Sequence, residues 1–155
     1  MIWHKSNRAD PAVRPLADRH YNRQKIGAQQ FAPPGRCLVL KTQAVDAFWI
    51  TSWLFAQYVK HAWAGAWVCS AFRNESEFLS SDLVFMAVAA TLSHYGEAPP
   101  MGMITFVDAQ KTRRKRDPGR CFLRAGFRNV GETKGGLIAL QILPSEMPPP
   151  IPYVP

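Results

Sequence analysis

Asp108 closes the run Thr105-Phe106-Val107-Asp108, an apolar β-type segment whose last residue is a carboxylate. Ligand-binding loops in α/β architectures gather at the carboxyl ends of strands. A carboxylate there can orient an amine or take its proton, and it can equally cap the turn that follows through a side-chain oxygen. The dipeptide His20-Tyr21, set between Asp18-Arg19 and Asn22-Arg23-Gln24, is the second candidate. Histidine shuttles protons near neutral pH or ligates a metal, and a tyrosine hydroxyl donates to developing charge. In so polar a stretch the pair also reads as surface packing. His61 and His94 stand alone and Cys37, Cys69 and Cys121 form no CxxC, so a metal centre would have to be assembled in space.

Arg73-Asn74-Glu75-Ser76 follows a predicted strand and precedes a predicted helix. Arg73 can face an anionic cofactor or phosphate there, with Glu75 as a second carboxylate; the alternative is a solvated loop with an Arg–Glu pair. Ser80 and Ser81, at the predicted helix N-terminus, are a further place to hold an anion. Every residue from Lys111 to Arg116 except Thr112 is basic, and Arg120, Arg124 and Arg128 recur at four-residue spacing. On a helix Arg120 and Arg124 share a face. Lys111, Arg113, Arg114, Lys115, Arg116, Arg120 and Arg124 thus read as a phosphate clamp beside Asp108, or as a solvated surface.

These groups need a scaffold, and 155 residues suffice for one domain with a sheet covered by helices. A hydrophobic content of 47% excludes wholesale disorder. No uninterrupted apolar run approaches the roughly 18 residues that suggest a membrane span. The N-terminus lacks an apolar signal core, and three cysteines cannot all pair, which reads as a reducing cytoplasm. Nineteen Lys and Arg against eleven Asp and Glu give a net charge of +8, which attracts polyanions.

Residues 1–17 read as an arm, with helical character around Val13 to Gln24. Cys37 to Thr42, Ala47 to Trp53 and Ala66 to Arg73 carry the Val, Ile, Trp and Phe of strands and predict an antiparallel meander. Trp49, Trp53, Phe55, Tyr58, Trp63 and Trp67 read mainly as core, with Tyr58 and His61 close enough in sequence to share a surface. Ser80 or Ser81 predicts the N-cap of an apolar helix that Gly96 stops. Pro99-Pro100 precedes a strand over Gly102 to Val107, and a strand–helix–strand connection of this kind places its two strands parallel. Gly126 should stand just past a short helix in a left-handed conformation, with Phe127 returning to the core. Asn129 to Thr133 and Leu137 to Ile142 flank Lys134-Gly135-Gly136 as a hairpin. Proline dominates from Leu143 onward and predicts an extended tail over 143–155.

The order of strand, basic loop, short helix ending in Ala125-Gly126-Phe127, and strand resembles the C-terminal half of the GCN5-related N-acetyltransferase (GNAT) superfamily. With His20-Tyr21, Arg73 and Asp108 in order, the likeness spans about residues 18–140 within a GNAT-like domain over 18–142, and the chain is most similar to the phage-encoded Mom family. The resemblance implies an α/β (α+β) fold, a GNAT-like mixed and mostly antiparallel sheet flanked by helices. It implies a transferase that modifies the exocyclic amine of adenine in DNA, protecting it from restriction in the bacterial host cytoplasm. It gives candidate catalytic roles to His20, Tyr21, Arg73 and Asp108, cofactor contacts to Arg73, Ser80 and Ser81, and iron to His20, Tyr21 and Asp108. GNAT enzymes cradle the coenzyme A pyrophosphate with a glycine-bearing segment before the central helix; here that place holds Ser76-Glu77-Phe78-Leu79-Ser80-Ser81, so an acyl-CoA donor is in doubt. Two other readings stand beside this one: a conventional N-acetyltransferase acting on a protein or small-molecule amine, and a catalytically inactive nucleic-acid-binding module.

Overall fold

The computed structural model describes residues 1–20, 23, 25–54, 62–111 and 119–155. Their strands are β1 (Trp3–Lys5), β2 (Arg36–Thr42), β3 (Ala47–Trp53), β4 (Trp67–Asn74), β5 (Met103–Val107), β6 (Arg128–Glu132) and β7 (Ile138–Ile142). They form one open sheet in the order β1-β2-β3-β4-β5-β7-β6. Helices α1 (Arg14–Asp18), α2 (Ser80–Tyr95) and α3 (Arg120–Arg124) complete an α+β architecture. The expected meander is present, since β2, β3 and β4 pair antiparallel in succession. β4 and β5 pair parallel across the α2 connection, while β5–β7 and β6–β7 are antiparallel.

Side chains alternate across the sheet, and both faces of its central strands are covered, while β6 is exposed throughout. Leu38, Leu40, Trp49, Trp67, Met103, Leu140 and Ile142 meet Leu83, Val84, Ala87, Val88 and Ala90 of α2. On the opposite face Val39, Phe48 and Ile50 meet Val13, Leu16 and Ala17 around α1. That double covering explains why β3 is apolar on successive residues instead of alternating. Gly126 has φ of 107° one step after the α3 C-cap, and Phe127 behind it is buried, as its sequence predicts.

Several local expectations are corrected. Among the described residues of the stretch Val13 to Gln24, α1 covers Arg14–Asp18, and the Asp18 carboxylate accepts from Arg23 Nε (2.9 Å) and the Gly27 N–H (3.0 Å). Neither Ser80 nor Ser81 is the N-cap of α2: Leu79 holds that position with extended backbone and no side-chain cap. Asn74 reaches from the end of β4 instead, its amide donating to Phe78 O (2.8 Å) and Ser80 Oγ (2.9 Å). The N-terminal arm is sheet: Trp3 is buried, and its indole N–H donates to Leu83 O at 2.9 Å. The proline-rich tail makes a 3₁₀ turn over Pro144–Glu146 and then lies on the domain, with Ile151 N donating to Ala89 O and Val154 bridging His4. No helix among the described residues is long and apolar enough to cross a membrane.

Candidate functional site

The sheet divides at one place. β4 and β5 pair only from Trp67–Met103 to Cys69–Thr105. Beyond that step β4 stays with β3 while β5 stays with β7, as Phe106–Ala139 and Val107–Ile138. A bulge marks the start of the division, since Ile50 faces Ala71 and Thr51 faces Cys69, leaving Ser70 as the extra residue. Bulges re-aim the chain next to functional sites. Phe72 and Asp108 stand equally far along their strands from the last paired step, so the two carboxyl-terminal strand ends open at the same end of the molecule.

Asp108 lies directly after β5, partly buried. Its Oδ1 accepts the backbone N–H of Gln110 (3.0 Å) and of Lys111 (3.2 Å). The carboxylate therefore caps the turn that launches the basic run, and the same two bonds fix its orientation. The capping role and an orienting role for an amine are compatible on one side chain.

His20 is not a surface residue. It is 9% exposed, its Nε2 is 3.1 Å from Phe72 O, and its ring meets the edge of Phe48 at 6.3 Å. Burial comes from α1, which carries the chain across the β3–β4 face and delivers the imidazole to the free end of β4. The surface reading of His20 is thereby corrected. His20→Ala should lower unfolding stability by about 1–3 kcal/mol by leaving Phe72 O without this partner. Chemical denaturation would check it, and an unchanged midpoint would return His20 to the surface class. Tyr21 lies outside the described residues.

Arg73 is exposed enough to bind an anion but is otherwise engaged. Its Nε donates to Glu75 Oε2 and its Nη1 to Arg19 O at 2.9 Å. Glu75 also accepts a bidentate fork from Arg19, Nε to Oε2 at 2.8 Å and Nη2 to Oε1 at 2.9 Å. Hydrogen bonds from Arg19 and then Arg73 pull the Glu75 carboxyl down to about 2. A depressed carboxyl stabilises the fold fully above the ordinary carboxylate range and loses that contribution only as pH falls toward the folded value. The cluster is thus ionised from mildly acidic pH upward. Arg19 is a residue whose importance the sequence did not reveal, because its partners lie at the far end of β4.

Between β4 and α2 the chain closes on itself. Asn74 Oδ1 accepts from Ser76 N (2.8 Å) and from the Ser76 hydroxyl, and Phe78 N donates to Ser76 Oγ at 3.1 Å. These backbone N–H groups are turned to the loop's own side chains. Ser80 sits beneath the Asn74 amide, and Ser81 is half-buried in the first turn of α2. Exposed Glu77 and Asp82 flank them, an unfavourable setting for a pyrophosphate.

Arg120, Arg124 and Arg128 are all exposed around α3, the last paired with Glu146. The helix is held by Phe122, which packs on Trp49, Phe72 and Phe127 and so ties α3 to the end of β4. Lys111 is exposed at the start of the basic run; Arg113, Arg114, Lys115 and Arg116 lie outside the described residues, as do Phe55, Tyr58 and His61. No three His, Cys, Asp or Glu among the described residues gather at one point. The iron set that the resemblance implies, His20, Tyr21 and Asp108, includes Tyr21 and so lies partly outside the described residues. Searches against protein-family models, curated proteins and solved structures gave no match for this chain.

Proposed function

We propose that the protein is a GNAT-like transferase that modifies a base of DNA, at the exocyclic amine of adenine, in the manner of the Mom family, with anti-restriction protection as the outcome. The observation that carries this reading is the division of the parallel pair β4–β5, with His20 bonded to one strand end and Asp108 placed at the other. The strand order, with its one parallel pair among antiparallel neighbours, supports the GNAT-like assignment.

The chemistry sets the requirements. An exocyclic amine conjugated to its ring is a weak nucleophile and is stacked in the duplex, so the base must leave the stack before reacting. Backbone phosphates must be held while it does so, for which exposed Lys111, Arg120 and Arg124 provide charge. Asp108, fixed by two N–H donors, orients the amine and accepts its proton as the nitrogen bonds to the transferred group and that group's bond to its donor breaks, the donor leaving with the electron pair. His20, fixed on Phe72 O, holds or relays a proton on the opposite strand end. The self-closed loop between β4 and α2 weighs against a conventional acyl-CoA N-acetyltransferase, because its N–H groups at Ser76 and Phe78 already have partners.

Mass spectrometry of nucleosides from the DNA of cells expressing the protein tests the reading. An added mass on deoxyadenosine is the expected result. DNA binding with unmodified nucleosides would favour an inactive binding module, and acetyl-CoA turnover on peptide or small-molecule amines without any DNA effect would favour the conventional enzyme.

A further inference from the structure

The Arg19–Glu75–Arg73 cluster has no step in the chemistry above, yet it is built with more bonds than a surface ion pair has. Glu75 takes both Arg19 fork bonds and the Arg73 Nε–H, and its own backbone is pinned by Glu75 N donating to Asp46 O at 2.7 Å. Arg73 completes the ring by donating to the carbonyl of Arg19 at 2.9 Å. Side chain and backbone of Arg19 are therefore both gripped by the end of β4. The next residue is His20, whose Nε2 lies 3.1 Å from Phe72 O. Residues 72, 73 and 75 of one strand end thus fix two consecutive residues of the entry segment.

The Arg19 side chain is 50% exposed and that of Glu75 30% exposed. Ion pairs so close to water contribute little to global stability. A planar bidentate fork contributes direction instead, because guanidinium and carboxylate must be coplanar to form it. Direction matters most for the neighbour, since a histidine that moves a proton must hold its ring to within a fraction of an ångström.

We infer that Glu75 is a positioning residue, which acts through Arg19 to fix the imidazole of His20 at the opening between β4 and β5. The inference rests on the DNA-modification reading for its kinetic consequence, though not for its structural one. Arg73 belongs to the same device: its place is behind His20, holding the Arg19 carbonyl, and its contact is with the protein.

The test is Glu75→Gln, which keeps the length of the side chain and removes the charge that gathers two arginines. Single-turnover modification of duplex DNA should slow by on the order of 10²-fold, with the DNA concentration for half-maximal rate changed by less than about twofold. Arg19→Ala should give the same loss, and the double variant should be no slower than either single one, because both remove one device. The His20 imidazole resonances in histidine-labelled protein should shift in each variant. Should Glu75→Gln fail to fold, Arg19→Lys carries the same measurements, since it keeps the charge and loses the fork. Full activity in a folded variant, additive losses in the double variant, or unmoved His20 resonances would each overturn the inference. Wild-type protein inactive on DNA would instead remove the DNA-modification reading, and the resonances alone would then decide for or against Glu75 as the group that positions His20.

Discussion

Asp108→Asn should lower the rate of base modification by about 10²–10⁴-fold, the range a positioned general base contributes. The melting temperature should move by no more than about 2–4 °C, equivalent to roughly 1 kcal/mol at this chain length. The geometry makes this substitution selective. Asp108 Oδ1 accepts from Gln110 N and Lys111 N, and the carbonyl oxygen of an asparagine accepts from the same two donors. The two turn bonds survive, while the charge and the basicity are lost. Asp108→Ala is the less informative variant, because it frees both N–H groups and loosens the corner from which the basic run departs. Nucleoside mass spectrometry on DNA treated with each variant, alongside thermal melts, separates the two. Undiminished modification by the asparagine variant would leave Asp108 as a turn cap and move the search for the base elsewhere along the strand ends.

What could be read from the sequence divides along the range of the forces involved. Ala47 to Trp53 and the Asn129–Ile142 hairpin were legible because β-rich residues and paired glycines act locally. Gly126 was legible because a left-handed residue after a helix has a narrow chemical signature. The parallel alignment of β4 and β5 followed from the length of the helical connection between them. The same local reasoning placed Asp108 at a strand end and identified the turn as its alternative partner.

Its failures share the opposite property. A hydroxyl next to a helix start suggested Ser80 or Ser81 as the cap, but Leu79 holds that position with no side-chain cap, and the Ser80 hydroxyl accepts from the Asn74 amide at the end of β4 instead. His20 in a run of polar residues looked exposed; Phe48 and Phe72, far along the chain, bury it. The Arg73–Glu75 pair was one of the two readings of its loop and is present, but Arg19 was not foreseen as the second partner, because the fork on Glu75 joins the end of α1 to the end of β4. Charge pairing over such separations leaves no period or motif in a sequence, so the positioning cluster emerges only once the sheet is assembled.

The largest stability effect is expected at Gly102, where the chain enters β5. Gly102 has φ of 66°, and a Cβ there would stand 2.0 Å from Ile142 O and 3.0 Å from Ile142 C and Leu143 Cα. Those atoms are backbone, so no rotamer change relieves the contact. Nor can the strand retreat: Met103 pairs with Ile142, Trp67 N donates to Gly102 O at 2.9 Å, and Gly102 N donates to Pro99 O at 2.8 Å. Gly102→Ala adds left-handed strain to an overlap that must break one of these bonds, a combination that costs about 3–5 kcal/mol. Against a total stability of about 5–15 kcal/mol for a domain, the melting temperature should fall by about 10 °C or more. Gly135→Ala is the control, since its Cβ would meet nothing nearer than Thr133 Oγ1 at 3.9 Å. Below its lowered midpoint the Gly102 variant should still modify DNA, because Gly102 and Asp108 lie at opposite ends of β5 and the disturbance enters where the strand begins. A melting temperature within a few degrees of wild type would mean that the β5–β7 ladder yields at this step, and the rigidity ascribed to the strand carrying Asp108 would be lost with it.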